Sequence, residues 1–209
     1  MQRLTYVYDP MCSWCFGFSA TYRAILADLP PSVVSARLLG GLAPDSDVPM
    51  DASMAAMLSS TWHRIEESCG VRFNHDYWQQ SPLPPRTTFI ACRAIIAAQA
   101  LGVADLDMLA AIQRAYYQQA RNVWQAEVLT ELAVELGVPA NDFVAELGHV
   151  RTLAQHTEQQ NRAASMGVQG YPTLIWQDDQ QSGRLPIDYG KPEVTLEVIR
   201  SLLAAADVE

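Results

Sequence analysis

The hydrophobic period of this chain changes twice, and that pattern restricts its fold more than any other feature. Residues 3–8 (RLTYVY) are β-branched and aromatic and predict a strand. From 13 to 29 the apolar residues Phe16, Ala20, Ile25 and Leu29 recur at helical spacing, and Pro30-Pro31 stops the run. Residues 32–39 (SVVSARLL) predict a second strand, ended by Gly40-Gly41. Strand, helix, strand is a βαβ unit.

The pattern then becomes helical for more than half the chain. Helices are expected over 51–69, 86–101, 105–119 and 127–136, with a short one at 142–147 and a long polar one at 149–166. A Pro-rich link (SPLPPR) precedes the second of these, and Pro139-Ala140-Asn141 reads as a turn. Gly70, Gly102 and Gly137 stand just past helical runs, the position where a left-handed residue ends a helix and glycine meets no Cβ clash. The period reverts at 173–177 (TLIWQ), a strand, followed by a hairpin turn over 178–183, a partner strand over 184–189 and an amphipathic helix over 192–205. The expected layout is βαβ, a helical block, then ββα: an α/β chain with a large all-helical insertion. The domain boundaries follow, with 1–48 and 160–209 forming one unit and 49–159 the inserted helical domain.

Composition excludes several classes. Fourteen basic against 23 acidic residues give a net charge of −9, which disfavours nucleic acid and anionic membrane as partners. Apolar residues make up 49%, enough for a core without disulfide staples. No uninterrupted apolar run is long enough to cross a bilayer. The first residues, MQRLTYVYDP, lack a basic segment followed by an apolar one, so the expected compartment is the reducing cytoplasm. There, the four cysteines are more readily redox-active or metal-binding than structural. The sequence leaves the oligomeric state undetermined.

Cys12-Ser13-Trp14-Cys15 begins a helix directly after a strand, the sequence signature of a thioredoxin-like redox site. Cys12 would meet backbone N–H groups that have no intrahelical partner, together with the positive end of the helix dipole. Both favour a thiolate and lower the pKa, which makes Cys12 the attacking sulfur. Cys15, one turn along on the same face, lies within disulfide reach and is the expected resolving thiol. Ser13 and Trp14 carry no positive charge, which argues for a less oxidising couple than a motif containing histidine. Downstream, Gly167-Val168-Gln169-Gly170-Tyr171-Pro172-Thr173 places a glycine-bracketed proline before a strand. A cis Tyr171–Pro172 bond is expected there. It would turn the backbone around Tyr171 toward the site, where a substrate strand could pair.

These residues carry a resemblance. The C-x-x-C after the first strand, the helical insertion and the "GVQGYPT" turn before the third strand resemble the DsbA family, which has a thioredoxin fold with a large helical insertion. The start "DPMCSWCFGF" is similar to its cytosolic FrnE-like branch, described as predicted disulfide isomerases. The resemblance spans nearly the whole chain. It implies a thiol–disulfide oxidoreductase or isomerase with Cys12 as nucleophile, Cys15 as its partner, and Pro172 as the cis-proline with Tyr171 before it. Trp14, Tyr171 and Pro172 are the expected substrate contacts. No cofactor is implied beyond the redox-active Cys12–Cys15 disulfide, with glutathione a candidate co-substrate, and the partners are protein or small-molecule thiols and disulfides.

Other readings compete. A glutathione-dependent transferase or isomerase of the kappa or hydroxychromene-carboxylate isomerase type would use the same turn, but needs no resolving cysteine. A non-enzymatic holdase would need neither thiol. A zinc site at Cys12 and Cys15 lacks a second pair at matching spacing, and His63, Cys69, His75 and Cys92 could complete one only through the fold, so no metal is expected. Cys69 and Cys92 are expected to pack as small apolar groups, as are Met50, Met54 and Met57. Trp14 and Phe16 would either form an apolar platform or pack, Phe18 belongs to the core, and His149 and His156 are expected to be solvated.

Overall fold

A computed structural model describes residues 1–206. The last three residues of the 160–209 segment lie outside the described residues. Strand β1 (Arg3–Tyr8), helix α1 (Ser13–Ala27) and strand β2 (Val34–Leu39) form the expected βαβ unit. Strands β3 (Thr173–Gln177) and β4 (Ser182–Leu185) complete a four-stranded sheet in the order β2-β1-β3-β4. β1 is central and pairs parallel to β2, with Thr5 opposite Ala36, and antiparallel to β3, with Thr5 opposite Ile175.

A strand alternates its side chains between two faces, and in β1 both faces are covered. Leu4, Tyr6 and Tyr8 enter the main core with Phe18, Tyr22 and Ile25 of α1. Val7 points the other way, into a smaller cluster with Leu38 and Ala163. Ala163 belongs to helix α7 (Val150–Ser165), so this polar helix covers the second face. The terminal helix α8 (Glu193–Ala206) adds Leu196 and Ile199 to the main core.

Between β2 and α7 lie α2 (Ala52–Cys69), α3 (Phe89–Ala100), α4 (Asp105–Gln113), α5 (Ala126–Glu135) and α6 (Ala140–Leu147). The punctuation behaves as its chemistry requires. Asp51 caps α2 by accepting from the Met54 amide at 2.8 Å, and Gly70 ends it at φ +70°. The core is shared, since Trp62 of α2, Ile95 of α3 and Tyr117 join the same cluster as Tyr6 and Phe16.

Several expectations need correction. β4 ends at Leu185 instead of running to 189, because Pro186 has no amide to continue the ladder. The preceding turn is narrower than expected: the Asp178 carboxylate accepts from the amides of Gln180 and Gln181 at 2.9 and 2.8 Å. The helix expected over 105–119 stops at Gln113 and passes into a π-helical turn, Arg114–Gln118. A 3₁₀ turn, His75–Gln79, follows α2 where no element was expected. Of the three methionines expected to pack, Met50 and Met54 are only half-buried. Met57 is 51% exposed, because α2 turns Ala55, Trp62 and Ile65 inward instead. His156 is buried, not solvated: α7 faces the sheet with Thr152, His156 and Ala163. His149 does stay at the surface, where its ring caps α7 by accepting from the Arg151 amide at 3.0 Å.

Candidate active site

The site is assembled where β1 ends. The chain leaves Tyr8 through Asp9, whose carboxylate accepts from the Met11 amide at 2.7 Å while its carbonyl accepts from the Cys12 amide at 3.1 Å. This double turn delivers Cys12 to the N-cap of α1, at φ −80°, ψ 113°. There Sγ does what a serine or aspartate oxygen does at other helix starts, accepting from the Cys15 amide at 3.4 Å. The N–H aimed at the sulfur and the N-terminal end of α1 behind it place Sγ where the helix's unpaired donors converge.

Both cysteines are buried, Cys12 at 5% exposure and Cys15, one turn inside, at 0%. Burial pushes the Cys15 thiol well up, and the adjacent Cys12 thiol pushes it further. The two sulfurs are therefore inequivalent: Cys12 Sγ is served by a backbone donor, and Cys15 is held protonated in the core. Both are free thiols in this structure, as are Cys69 and Cys92.

Opposite them stands the loop before β3. The Tyr171–Pro172 peptide bond is cis, and the Tyr171 carbonyl accepts from the Cys12 thiol at 3.5 Å. Three predicted residues, Cys12, Tyr171 and Pro172, thus meet across 159 positions of sequence. The Tyr171 ring lies on Gly40, where a Cβ would come within 2.0 Å of the ring carbon, so any larger residue there would displace the ring. The Gly40 carbonyl accepts from Nε2 of His156 at 2.7 Å, which anchors the turn after β2 to α7.

Trp14 is half-buried and leans on Tyr189, ring centres 5.0 Å apart, leaving part of its indole at the surface beside Cys12. Phe16 does not form a platform. It is sandwiched by Tyr117 at 4.7 Å and Phe73 at 5.3 Å. Cys92 is buried in α3, and Cys69 is half-buried in α2 with its sulfur against Gly17.

Two residues central to this geometry carry no local signal in the sequence. Asp9 is fully buried and accepts from three segments: the Met11 amide, the Leu42 amide at 2.8 Å, and the Thr88 hydroxyl at 2.6 Å. It thereby ties the Cys12 turn to the Gly40–Leu42 turn and to the start of α3. The signal available was Asp-Pro after a strand, which reads only as a chain break. His156 sits in a run of polar helical residues, and nothing local marks it as buried.

A four-stranded sheet with β1 central, a cysteine pair at the start of α1 and a cis-proline loop facing it defines a thioredoxin-fold protein with an inserted helical block. The chain belongs to the DSBA-like thioredoxin domain family, which matches residues 3–191. A protein from Nitrosomonas europaea, provisionally named a protein disulfide isomerase, superposes with a TM-score of 0.84 at 25% identity, covering 98% of both chains. The cytosolic disulfide reductase DsbM from Pseudomonas aeruginosa gives 0.78 at 25% identity, covering 97% of this chain and 99% of its own. The same reductase solved with GSH gives 0.76 at 26% identity and the same coverage. No curated protein sequence matches this chain. Family and solved relatives together support oxidoreductase chemistry on thiols and disulfides. Among the described residues no helix is long and apolar enough to cross a membrane.

Proposed function

We propose that this chain reduces or rearranges disulfides by dithiol–disulfide exchange at Cys12 and Cys15, in the cytoplasm, with glutathione as the thiol that resets it. The observation that carries this reading is the unequal pair: Cys12 Sγ accepts from the Cys15 amide and faces the Tyr171 carbonyl, while Cys15 is buried with its proton held.

The reaction balances on those atoms. The Cys12 thiolate attacks one sulfur of a substrate disulfide, forming a mixed disulfide and expelling the other sulfur as a thiolate, which takes a proton from solvent. Cys15 then loses its proton and attacks Cys12 Sγ. The Cys12–Cys15 bond forms, the second substrate thiol leaves, and the pair has given two electrons to the substrate. If instead another thiol of the substrate attacks the mixed disulfide, the disulfide is rearranged with no net redox change. Trp14, Tyr171 and Pro172 are the proposed substrate contacts, the indole through its exposed face and the loop through its backbone. No cofactor besides the cysteine pair takes part.

The likeness to a reductase solved with GSH supports a small thiol as co-substrate. The transferase reading has less support, because a buried partner thiol one turn from the nucleophile has no task in a conjugation. The test is glutathione-driven reduction of a protein disulfide. The wild type should accelerate it, Cys12→Ser should fall to the uncatalysed background, and Cys15→Ser should lose sustained turnover. Equal rates for wild type and Cys12→Ser would end the proposal.

A further inference from the structure

Away from the thiols, the fold gathers His63 and His75 around Glu66, a residue the sequence did not single out. His63 and Glu66 lie one turn apart on α2, and His75 begins the 3₁₀ turn that folds back over its end. One oxygen of Glu66 lies 3.1 Å from His75 Nε2 and 3.5 Å from His63 Nδ1. All three ligand atoms fall within 4.8 Å of one another. The two imidazoles lie almost parallel, 9° apart with ring centres at 4.1 Å. We propose that His63, Glu66 and His75 form a binding site for a divalent transition metal, with zinc the best match.

The chemistry of the donors points there. Two imidazole nitrogens and one carboxylate oxygen suit zinc, and three protein ligands leave a fourth position for water. Zinc bonds of about 2.0–2.1 Å at tetrahedral angles put ligand atoms about 3.3–3.4 Å apart, close to the two spacings given above. The carboxylate is also oriented from behind, since its other oxygen accepts from the Phe73 amide at 2.8 Å. A ligand held by such an outer hydrogen bond is fixed before the metal arrives. His75 Nδ1 is buried, so Nε2 is the nitrogen it offers. His63 is 61% exposed and can turn its ring edge toward the carboxylate. A metal here would lock the segment after Gly70 onto α2, with no part in the thiol chemistry.

The test removes the competing dithiol. In a full-length Cys12→Ser/Cys15→Ser background, zinc is titrated against a chromophoric zinc indicator at neutral pH. One zinc per chain is expected. His63→Ala should weaken it at least tenfold, and so should Glu66→Gln, which keeps the acceptor for the Phe73 amide. Cobalt in place of zinc should show no thiolate-to-metal charge-transfer band. In the otherwise wild-type chain, His63→Ala should leave disulfide exchange unchanged. Binding unaffected by His63→Ala, no zinc bound at micromolar concentrations, or a thiolate band from cobalt would each overturn the site without touching the proposed function.

Discussion

At the scale of single residues, two buried acids, thiol and carboxyl, shape the site. Cys15 is kept protonated by burial and by Cys12, so it waits until the first exchange has occurred. Asp9 is the other. Burial pushes its carboxyl above the usual aspartate range, although Thr88, Leu42 and Met11 all donate to it and pull it down. A raised carboxyl pKa means that the folded state binds the proton more tightly than the unfolded chain does. Asp9 therefore contributes fully to stability below about pH 4, and that contribution is lost as pH rises through the folded value. Asp9→Asn removes the titration. Urea unfolding should show the wild type's advantage over Asp9→Asn to be larger at mildly acidic pH than at alkaline pH. An advantage independent of pH would contradict the burial argument.

At the scale of elements, α7 locates the turn that supports Tyr171. His156 reaches from this helix to the Gly40 carbonyl, and burial lowers its pKa, so it stays neutral at neutral pH. For a lowered histidine the sign is opposite to that of Asp9. Its contribution is present above about pH 6.5 and is lost as pH falls through the folded value. His156→Phe leaves the Gly40 carbonyl without this partner and should cost about 1–3 kcal/mol at neutral pH. The cost should shrink as pH falls below about 6.5 and through the folded value, as the wild type loses its own contribution. Chemical denaturation at the two pH values checks both statements, and a cost that grows on acidification would refute them.

The same elements show what the sequence can and cannot reveal. β1, α1, β3 and the glycine-ended α2, α3 and α5 were legible because period, caps and breakers are local properties. The cysteine pair and the proline loop were legible as motifs, but their meeting depends on β1 pairing with β3. Asp9, His156 and Glu66 were illegible, since each acts through partners dozens of positions away or beyond a turn. The π-helical turn after Gln113 and the 3₁₀ turn at His75 were missed because such short elements yield to packing: Tyr116, Tyr117 and Tyr77 are all buried there.

At the scale of the molecule, we propose the division into a thioredoxin-like unit (1–48 and 160–209) and an inserted helical unit (49–159), although one apolar core runs through both. Tyr6 touches the α1 aromatics Phe18 and Tyr22, while Phe16 of the same helix stacks on Tyr117 and meets Phe73, and Trp62 stacks on Phe73. Asp9 adds a polar tie from β1 to Thr88 at the start of α3. A continuous core predicts a single cooperative transition. Far-ultraviolet circular dichroism and tryptophan fluorescence should report coincident urea curves. Trp62→Ala should destabilise the whole chain by about 3–5 kcal/mol, not one part of it. Two separable transitions would show that the insertion unfolds alone.

The most direct test of the account is to catch the exchange in progress. Cys15→Ser is mixed with a protein disulfide or with oxidised glutathione, quenched with acid, and the adduct is mapped by mass spectrometry. A mixed disulfide on Cys12 is expected in the variant, and a Cys12–Cys15 bond with released substrate thiol in the wild type. An adduct on Cys69 or Cys92 instead, or no Cys12–Cys15 bond in the wild type, would contradict it.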